Sequence, residues 1–297
     1  MALTLAQHLP LEIVCMDSMQ IYREMSIGTA RPATEDMAGI PHHLYGFASV
    51  ASPLNAAAWA DAAQTLIAQI QARGNIPALV GGTGLYARAL FEGFHHLPTT
   101  PPALRQRLDR RVEHKGKTWL HRLLKRLDPE SAASLHPNDR QRVQRFLEVR
   151  ILTGKGMHHH WRLQKEKGQI NPSGIGLYVP RQILLQRIEQ SVDSMLKAGW
   201  VEETQNLVEH ELLDAVLAVG PIGYHAIREY LAGRTSYERM RDLAIVGTRQ
   251  YAKRQMTWFR KVPYLQWFLY HPKTGYHVKD VLTFLNDRFG LRRRHRF

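Results

Sequence analysis

Two short apolar runs near the start of the chain predict buried β-strands. Residues 11–15 are mostly branched and apolar and follow Pro10, and residues 76–80 run into a pair of glycines. Runs of this length between turn residues are typical of strands. Between them, apolar side chains recur at helical spacing from Trp59 to Ile70. The order strand, helix, strand predicts an α/β fold in which the two strands are parallel neighbours.

Cap and loop residues set the boundaries of these elements. Asn55 is a favourable N-cap for the helix, and Gly74 is expected to end it. Residues 3–9 have the pattern of the last turns of another helix. His42 and His43 follow a proline and are expected in a loop. A metal site is the alternative, but no third ligand stands at metal spacing.

The composition changes after the proline-rich segment 98–102. From there to about residue 167 the chain is helical in pattern and rich in arginine. We therefore expect an inserted helical domain at 102–169, within an α/β core formed by 1–101 and 170–297. A helix is predicted at 140–149, with an apolar stripe that includes Val143, Phe146 and Leu147. The histidines at 158–160 are expected in a mobile polar loop.

The remaining residues predict a return to the core. The expected elements are a strand at 175–179, helices at 183–197 and 201–210, a short helix opening at 222–224, a long helix from a capping box at Thr235 and Glu238 to about Arg260, a strand at 264–270 and a final helix. The basic tail at 292–296 is expected to be disordered.

Charge and cysteine content narrow the class of protein. The chain has 297 residues and a formal net charge of +14. A protein this basic usually meets a polyanion, and nucleic acid is the leading partner. Its single cysteine, Cys15, excludes an internal disulfide and fits a cytoplasmic protein. No apolar run is long enough to span a bilayer. An anionic membrane surface is the alternative partner, but the sequence has no basic amphipathic anchor, so we expect no membrane association.

Polar residues stand just past the ends of both predicted strands. Asp17, Ser18 and Gln20 follow the first strand, and Gly81-Gly82-Thr83 follows the second. Ligands bind at the carboxyl ends of strands in open α/β sheets, and neighbouring strands would bring Asp17 and Thr83 together. A carboxylate there is a possible base, and a glycine turn that opens a helix favours an anion. The alternative is that Asp17 only caps the turn.

The long predicted helix carries a basic face. Arg249, Lys253, Met256 and Arg260 share it at 100° per residue, with Gln255 and Trp258 close by. Cations with an aromatic side chain suit a nucleic-acid backbone and an unstacked base. A solvent-facing helix with Trp258 in the core is the alternative. Gly154-Lys155, the one Gly-Lys pair that could suggest a phosphate loop, lacks its glycine spacing and strand context.

An ordered set of motifs resembles the tRNA dimethylallyltransferase family. The motifs are DSMQIY at 17–22, GTARP at 28–32, PHH at 41–43, LVGGTGLY at 79–86, HPNDRQR at 136–142 and TRQYAKRQ at 248–255. The resemblance implies a P-loop-NTPase-like parallel sheet core with an inserted basic helical domain that grips the tRNA anticodon stem-loop. It implies transfer of a dimethylallyl group from dimethylallyl diphosphate to N6 of adenosine 37, beside the anticodon, with Mg²⁺ assisting. We expect a monomer.

The resemblance also implies roles for individual residues. Asp17 would be the general base, and Ser18, Met19 and Gln20 would contact the adenosine. Thr83 would bind near the bridging oxygen of the diphosphate, next to Gly81 and Gly82. The residues implied in holding the RNA are Asp17 to Gln20, Thr83, Arg105, Gln141, Arg142, Val143, Gln144, Arg145, Arg249, Lys253, Arg254, Gln255, Trp258 and Arg260. No residue is implied as a metal ligand.

One hallmark of the family has no counterpart in this sequence. The family begins with a strand and a Gly-Pro-Thr-x-x-x-Gly-Lys-Thr phosphate loop, and this chain begins inside the following helix. We expect strand 11–15 to lack a neighbour and to lie partly at an edge. A recorded start downstream of the true one is favoured over a truncated paralogue. A second departure is Gly220-Pro221 and His225 around Ile222-Gly223-Tyr224, where the family commonly has cationic residues.

Two other functions compete with the transferase. A catalytically impaired tRNA-binding paralogue would keep the basic insert and helix but not the diphosphate site. A P-loop kinase acting on a small molecule is disfavoured, because the chain has no Walker A sequence and carries a basic insert.

Overall fold

The computed structural model describes residues 1–93, 97–116, 118–164 and 172–290. They form two compact units, one made of Met1–Ala87 with Asn171–Phe297 and the other of Arg88–Ile170. The predicted insert at 102–169 lies inside the second unit. Its predicted end and the basic tail at 292–296 lie outside the described residues.

The described residues fold mainly into helices, with five short strands among them. The helices are α1 (Ala2–Ala6), α2 (Ala56–Ala72), α3 (Gly84–Phe91), α4 (Pro102–Lys115), α5 (Trp119–Leu127), α6 (Pro129–Ala133), α7 (Arg140–Thr153), α8 (Met157–Gln164), α9 (Arg181–Lys197), α10 (Trp200–Glu209), α11 (Leu213–Val219), α12 (Tyr224–Leu231), α13 (Tyr237–Phe259) and α14 (Val278–Phe289). The strands are β1 (Leu11–Cys15), β2 (His42–His43), β3 (Ile76–Val80), β4 (Gly174–Tyr178) and β5 (Leu265–Leu269).

The first unit contains a parallel sheet in the order β2-β1-β3. Ile13 is level with His42 on one side of β1, and Cys15 is level with Val80 on the other. The expectation that residues 11–15 form a partial edge is therefore wrong, since β1 is the middle strand and is buried throughout. His42 and His43 form a strand instead of the expected loop, because β1 offers them an unpaired edge.

A second parallel pair, β4 and β5, completes the strands of this unit. Both lie where the apolar runs predict them. The α/β class with parallel strands is thus confirmed, although the described strands are divided between two small sheets. Next to β1 and β3, a cluster of Leu5, Leu9, Leu11 and Val281 buries α1 and α14.

Cap residues explain where the main helices begin. Asn55 Oδ1 accepts a hydrogen bond from Ala58 N at 2.9 Å, so the predicted N-cap of α2 is confirmed. Helix α13 starts one residue later than its predicted capping box, since the Ser236 side chain accepts from Arg239 N at 3.2 Å. Ser236 and not Thr235 is therefore the cap.

The second unit has a hydrophobic core of its own. Val143, Phe146 and Leu147 of α7 lie in it as predicted, together with apolar residues of α4, α5 and α8. The expected loop at 158–160 is instead part of α8. The T-shaped contact of Trp161 with Phe146, at 5.5 Å between ring centroids, packs that helix on α7.

No helix in the described part of the chain is long and apolar enough to cross a membrane.

Candidate active site

The ends of β1 and β3 bring the predicted polar residues into contact. Because the two strands are parallel and level, the loops that follow them leave at the same edge. Ser18 N donates to Thr83 Oγ1 at 2.9 Å, and Thr83 Oγ1 donates to Ser18 Oγ at 3.2 Å. Thr83 N also donates to Met16 O at 3.2 Å. The predicted meeting of the Asp17 and Thr83 segments is confirmed.

One carboxylate oxygen of Asp17 caps the turn after β1, and the other has no hydrogen-bond donor among the described residues. Its Oδ1 accepts from Met19 N at 2.8 Å and Gln20 N at 3.3 Å, which fixes the turn after β1. No described residue donates a hydrogen bond to Oδ2, and the side chain is partly exposed. The carboxylate is therefore held in place by one oxygen and presents the other to a ligand.

Tyr251 of α13 completes this cluster and was missed in the sequence. Its hydroxyl lies close to the side chains of Thr83 and Gln255. Burial raises the pKa of Tyr251, and the nearby Asp17 carboxylate raises it further, so the hydroxyl stays protonated. The spacing of Tyr251, Gln255 and Trp258 along one helix face was the signal that could have found it.

Glycines allow α13 to approach the turn after β3. Gln255 Nε2 donates to Gly82 O at 3.0 Å, and a Cβ on Gly82 would lie 1.9 Å from that nitrogen. A Cβ on Gly84 would lie 2.3 Å from the ring of Trp258. Gln255 and the ring of Trp258 thus pack on this turn. Trp258 is only partly buried, so it is neither a fully free platform for a base nor a fully buried core residue.

The basic part of α13 borders a groove of about 490 Å³. Its lining comprises Gln250, Lys253, Arg254, Thr257, Trp258 and Lys261. Lys253, Arg254 and Arg260 are exposed, whereas Arg249 is ion-paired with Glu189 of α9. Lys261 was not singled out in the sequence. The groove follows the stripe from Gln250 to Lys261, which differs from the predicted face through Arg249 and Met256.

In the second unit, several predicted RNA contacts converge on a buried carboxylate. Arg105 reaches both oxygens of Glu148, at 3.1 and 3.2 Å, and the pair raises the pKa of Arg105. Gln144 Nε2 also donates to Glu148, at 3.3 Å, while Arg145 donates to Thr100 Oγ1 at 3.0 Å. These side chains are held by the protein itself, and only part of each is open to a ligand.

The other predicted residues of α7 divide by exposure. Gln141 and Arg142 are exposed, with Arg142 paired to Asp139 at the helix start. Val143 is 1 % exposed in the core of the second unit. Its expected contact with RNA is therefore corrected, because the side chain cannot reach a ligand without unfolding the helix.

A basic surface on α4 was not among the predicted contacts. Arg107, Arg110, Arg111 and His114 line a groove of about 570 Å³. They repeat at one-turn spacing on the exposed face of α4, while Leu104 and Leu108 face the core. None of the three arginines pairs with a carboxylate among the described residues. We call Arg107, Arg110 and Arg111 the α4 arginine stripe.

The thiol of Cys15, at the end of β1, does not suit nucleophilic chemistry. Burial raises the pKa of Cys15 to about 12, so its thiol is not an activated nucleophile. In the part of the chain that the structure describes, no group of three or more His, Cys, Asp or Glu side chains is arranged to hold a metal ion.

Comparisons with known proteins place the chain in a family. The model of the IPP transferase family matches residues 20–262. A tRNA dimethylallyltransferase of Burkholderia vietnamiensis is 42 % identical over 88 % of this chain and 83 % of its own length. One of Geobacter metallireducens is 39 % identical over 96 % of this chain and 92 % of its own.

Solved structures agree with the sequence matches. The tRNA isopentenylpyrophosphate transferase of Bacillus halodurans superposes with a TM-score of 0.67 at 35 % identity, covering 97 % of this chain and 90 % of that one. A eukaryotic dimethylallyltransferase described as acting on tRNA gives 0.82 at 27 % identity, over 98 % and 76 %. The chain therefore belongs to the IPP transferase family. Its α/β fold matches the structures of tRNA-modifying transferases in that family.

Proposed function

We propose that this protein is a tRNA dimethylallyltransferase and that Asp17 and Thr83 carry its chemistry. In this reaction N6 of the adenosine beside the anticodon attacks C1 of the dimethylallyl group. The C–N bond forms, the C–O bond to diphosphate breaks, and an N6 proton passes to a base. The observation that carries the assignment is the contact between the Asp17–Ser18 turn and Thr83, with the basic helix α13 bonded to the same cluster.

Asp17 suits the role of base. An adenine amino group is a poor nucleophile because its lone pair is delocalised into the ring. A carboxylate on its N–H assists the attack. Asp17 Oδ1 is fixed by Met19 N and Gln20 N, which leaves Oδ2 to take the proton.

The turn after β3 suits the departing diphosphate. Negative charge grows on the leaving oxygen, and hydroxyl donors and helix N-termini stabilise it. Thr83 supplies a hydroxyl next to Gly81 and Gly82, and α3 begins at Gly84, so the N-terminus of a helix lies beside that hydroxyl.

Mg²⁺ would enter with the diphosphate. The donors at Asp17 are one carboxylate and the hydroxyls of Ser18 and Thr83, which are too few to form a resident site. Mg²⁺ in proteins commonly keeps several waters and binds through substrate phosphates. We assign no step of the reaction to it.

Both units contribute surface for the tRNA. The groove of α13 offers Lys253, Arg254 and Lys261 beside Trp258, and we propose that it receives the strand that carries the target base. The α4 arginine stripe, with Gln141 and Arg142, would contact backbone phosphates of the anticodon stem-loop. We expect the protein to act as a monomer in the cytoplasm, where its tRNA substrate is found.

The Asp17→Asn variant separates the base from the cap. Asparagine keeps the oxygen that accepts from Met19 N and Gln20 N, but it cannot accept a proton at pH 7. We expect kcat to fall at least a hundredfold while the Kd for tRNA stays within about threefold, because one carboxylate adds little to phosphate binding. Single-turnover transfer of radiolabelled dimethylallyl groups and filter binding would measure the two quantities.

The comparison with Asp17→Ala identifies the capping contribution. Alanine removes the cap and the base, so only this variant should lose thermal stability. Transfer at the parental rate by Asp17→Asn would reject the base assignment. If the parent protein itself bound tRNA but transferred nothing, the non-catalytic alternative would replace the proposed function. The relatives, all named as transferases, give that alternative no support.

A further inference from the structure

A loop of the first unit wraps around a carboxylate from a distant helix. Glu203 of α10 accepts hydrogen bonds from Ser26 N at 2.8 Å, Ile27 N at 2.8 Å and Gly28 N at 3.1 Å. Its Oε2 also accepts from Ser26 Oγ at 3.0 Å. Three successive N–H groups that point to one anion form a nest, and here the anion belongs to the protein.

The carboxylate is anchored from its other side. The Tyr224 hydroxyl of α12 donates to Glu203 Oε1 at 2.5 Å. Tyr224 is fully buried, and burial raises its pKa far above the usual range, so this donor stays protonated. Gly28 also touches α10 directly, since a Cβ there would lie 1.9 Å from Trp200 Nε1. The loop is therefore fixed against α10 and α12.

The same loop holds the side chain of Gln20. Gln20 Nε2 donates to Thr29 O and to Ala30 O, both at 3.0 Å. Two carbonyl acceptors decide the orientation of the amide, because only its nitrogen can donate. Both amide hydrogens are thus used, and Gln20 Oε1, which has no partner among the described residues, remains as an acceptor on a residue whose backbone N–H is bonded to Asp17 Oδ1 at 3.3 Å.

A second bond joins the loop to the Asp17 turn. Arg31 Nη1 donates to Tyr22 O at 2.8 Å. Within the loop, Arg31 N donates to Ser26 O at 3.0 Å and Ala30 N donates to Ile27 O at 3.0 Å. A displacement of residues 26–28 would consequently move the carbonyls that orient Gln20.

We propose that Glu203 is a positioning residue for the proposed transfer: it holds loop 26–31, and through it the Gln20 acceptor, in register with Asp17. An acceptor at that place suits a substrate that presents an exocyclic amino group. The inference rests on the proposed function, but it concerns a residue that touches neither reacting group.

Glu203→Gln tests this assignment. The glutamine amide has the size of the carboxylate, but an NH₂ group replaces one of its two acceptor oxygens. That group would face the N–H and O–H donors of the loop or of Tyr224, so the hydrogen bonds there are lost. A displacement of about 1 Å at a reacting group can cost a hundredfold in rate. We expect kcat to fall ten- to hundredfold, with the Kd for tRNA and the KM for dimethylallyl diphosphate within threefold of the parent. The matched control is Glu202→Gln, whose carboxylate is exposed and makes no hydrogen bond or ion pair with described residues. It should retain parental kcat.

A double-mutant cycle distinguishes positioning from general stability. If Glu203 acts through Gln20, adding Glu203→Gln to Gln20→Ala should lower kcat by less than threefold beyond Gln20→Ala alone. A purely structural role would make the two effects multiply. Multiplying effects, or parental kcat in folded Glu203→Gln, would overturn the proposal.

Ser26→Ala provides a milder variant if Glu203→Gln does not fold. It removes one of the bonds to Glu203 Oε2 and leaves the backbone bonds in place. A threefold to tenfold loss of kcat at unchanged tRNA affinity is expected, and unchanged kcat would overturn the proposal. An inactive parent protein would instead count against the proposed function, so the two failures differ.

Discussion

At the scale of single residues, the site depends on hydroxyl and carboxylate groups that also hold their own turns. Thr83 Oγ1 accepts from Ser18 N at 2.9 Å, so it joins the two strand ends, and it lies close to Tyr251 of α13. We assign the same hydroxyl as a donor to the diphosphate, toward which its single hydrogen would turn from Ser18 Oγ. Substitutions can separate the packing role of Thr83 from the role of its hydroxyl, because serine keeps the hydroxyl and valine keeps the shape of the side chain.

Thr83→Val should lower kcat ten- to hundredfold. The variant removes a donor to the leaving oxygen, and a preorganised donor of this kind is worth about that factor or more. It also leaves Ser18 N without its acceptor, which is expected to cost about 1 kcal/mol of stability. Turnover at saturating tRNA and dimethylallyl diphosphate, with a thermal melt, would measure both effects.

Thr83→Ser is the matched control. It should stay within about threefold of the parental kcat, because the hydroxyl remains. If serine were as slow as valine, the methyl group of Thr83 and not its hydroxyl would be the important part. Parental activity in Thr83→Val would remove Thr83 from the reaction.

At the scale of elements, a buried carboxylate in β1 connects the surrounding pieces of the sheet. Glu12 accepts from Arg73 Nη2 at 2.7 Å, from Asn75 Nδ2 at 2.7 Å, and is bonded to His43 of β2 at 2.7 Å. The side chain is 4 % exposed. The hydrogen bond from Arg73 is the main cause that holds the pKa of Glu12 at about 2. Its three partners come from the end of α2, the turn before β3, and β2.

The lowered pKa of Glu12 predicts a pH-dependent stability. A carboxyl whose pKa is lower in the folded state stabilises that state above its unfolded value of 4.5 and loses the effect as the pH falls toward 2. Glu12→Gln should therefore lower the free energy of unfolding at pH 7 by roughly 1–2 kcal/mol, a value reduced for the half-exposed Arg73. Denaturant unfolding between pH 2 and 7 should show the difference between variant and parent shrinking below pH 4.5.

Glu229→Gln is the control for this experiment. The pKa of Glu229 is also held at about 2, mainly by the hydrogen bond from Arg234, but its side chain is 26 % exposed against 4 % for Glu12. Solvent screens such a surface pair, so little change in stability is expected. An equal effect of both substitutions would contradict the special place of Glu12 in β1.

At the scale of the whole molecule, the net charge of +14 matters where the cations have no partner of their own. Many arginines are paired, as Arg162 is with Glu130, Arg234 with Glu229 and Arg241 with Asp193. Arg107, Arg110 and Arg111 of the α4 arginine stripe face solvent without carboxylate partners among the described residues. The field that attracts a polyanion should therefore be strongest at such stripes and not uniform over the surface.

Replacement of the α4 arginine stripe by glutamine should weaken tRNA binding in a salt-dependent manner. Each lost phosphate contact lowers the slope of log K against log salt by about 0.7–0.9, so a reduction of about 2–3 is expected for three arginines. At low salt kcat should change less than threefold, since the stripe is outside the reacting cluster. Filter binding over a salt series would measure the slope.

The triple variant of Arg162, Arg234 and Arg241 to glutamine is the matched control. It removes the same formal charge from arginines that already have carboxylate partners, and the slope should change by less than one. Equal slopes for the two triple variants would show that net charge alone, and not the α4 stripe, attracts the tRNA.

The sequence by itself determined the local features and the family motifs. Apolar periodicity located β1, β3, α2 and the core stripe of α7, because burial repeats with the period of the element. The turn residues after β1 and β3 located Asp17 and Thr83, since a strand end in a parallel sheet is also its ligand side.

Only the tertiary structure decided which distant groups meet. Ser26 and Glu203 are 177 residues apart, and no local pattern links them. The pairing of Arg105 with Glu148 and of Arg249 with Glu189 likewise depends on how helices pack. The sequence alone therefore could not tell whether a given arginine binds a carboxylate of the protein or a phosphate of RNA. β1 is the central strand because β2 pairs with one of its edges. β2 has only two residues, and these are a strand only because they pair with β1. Local chemistry is encoded over a few residues, whereas a hydrogen bond between elements requires a geometry that the whole fold supplies.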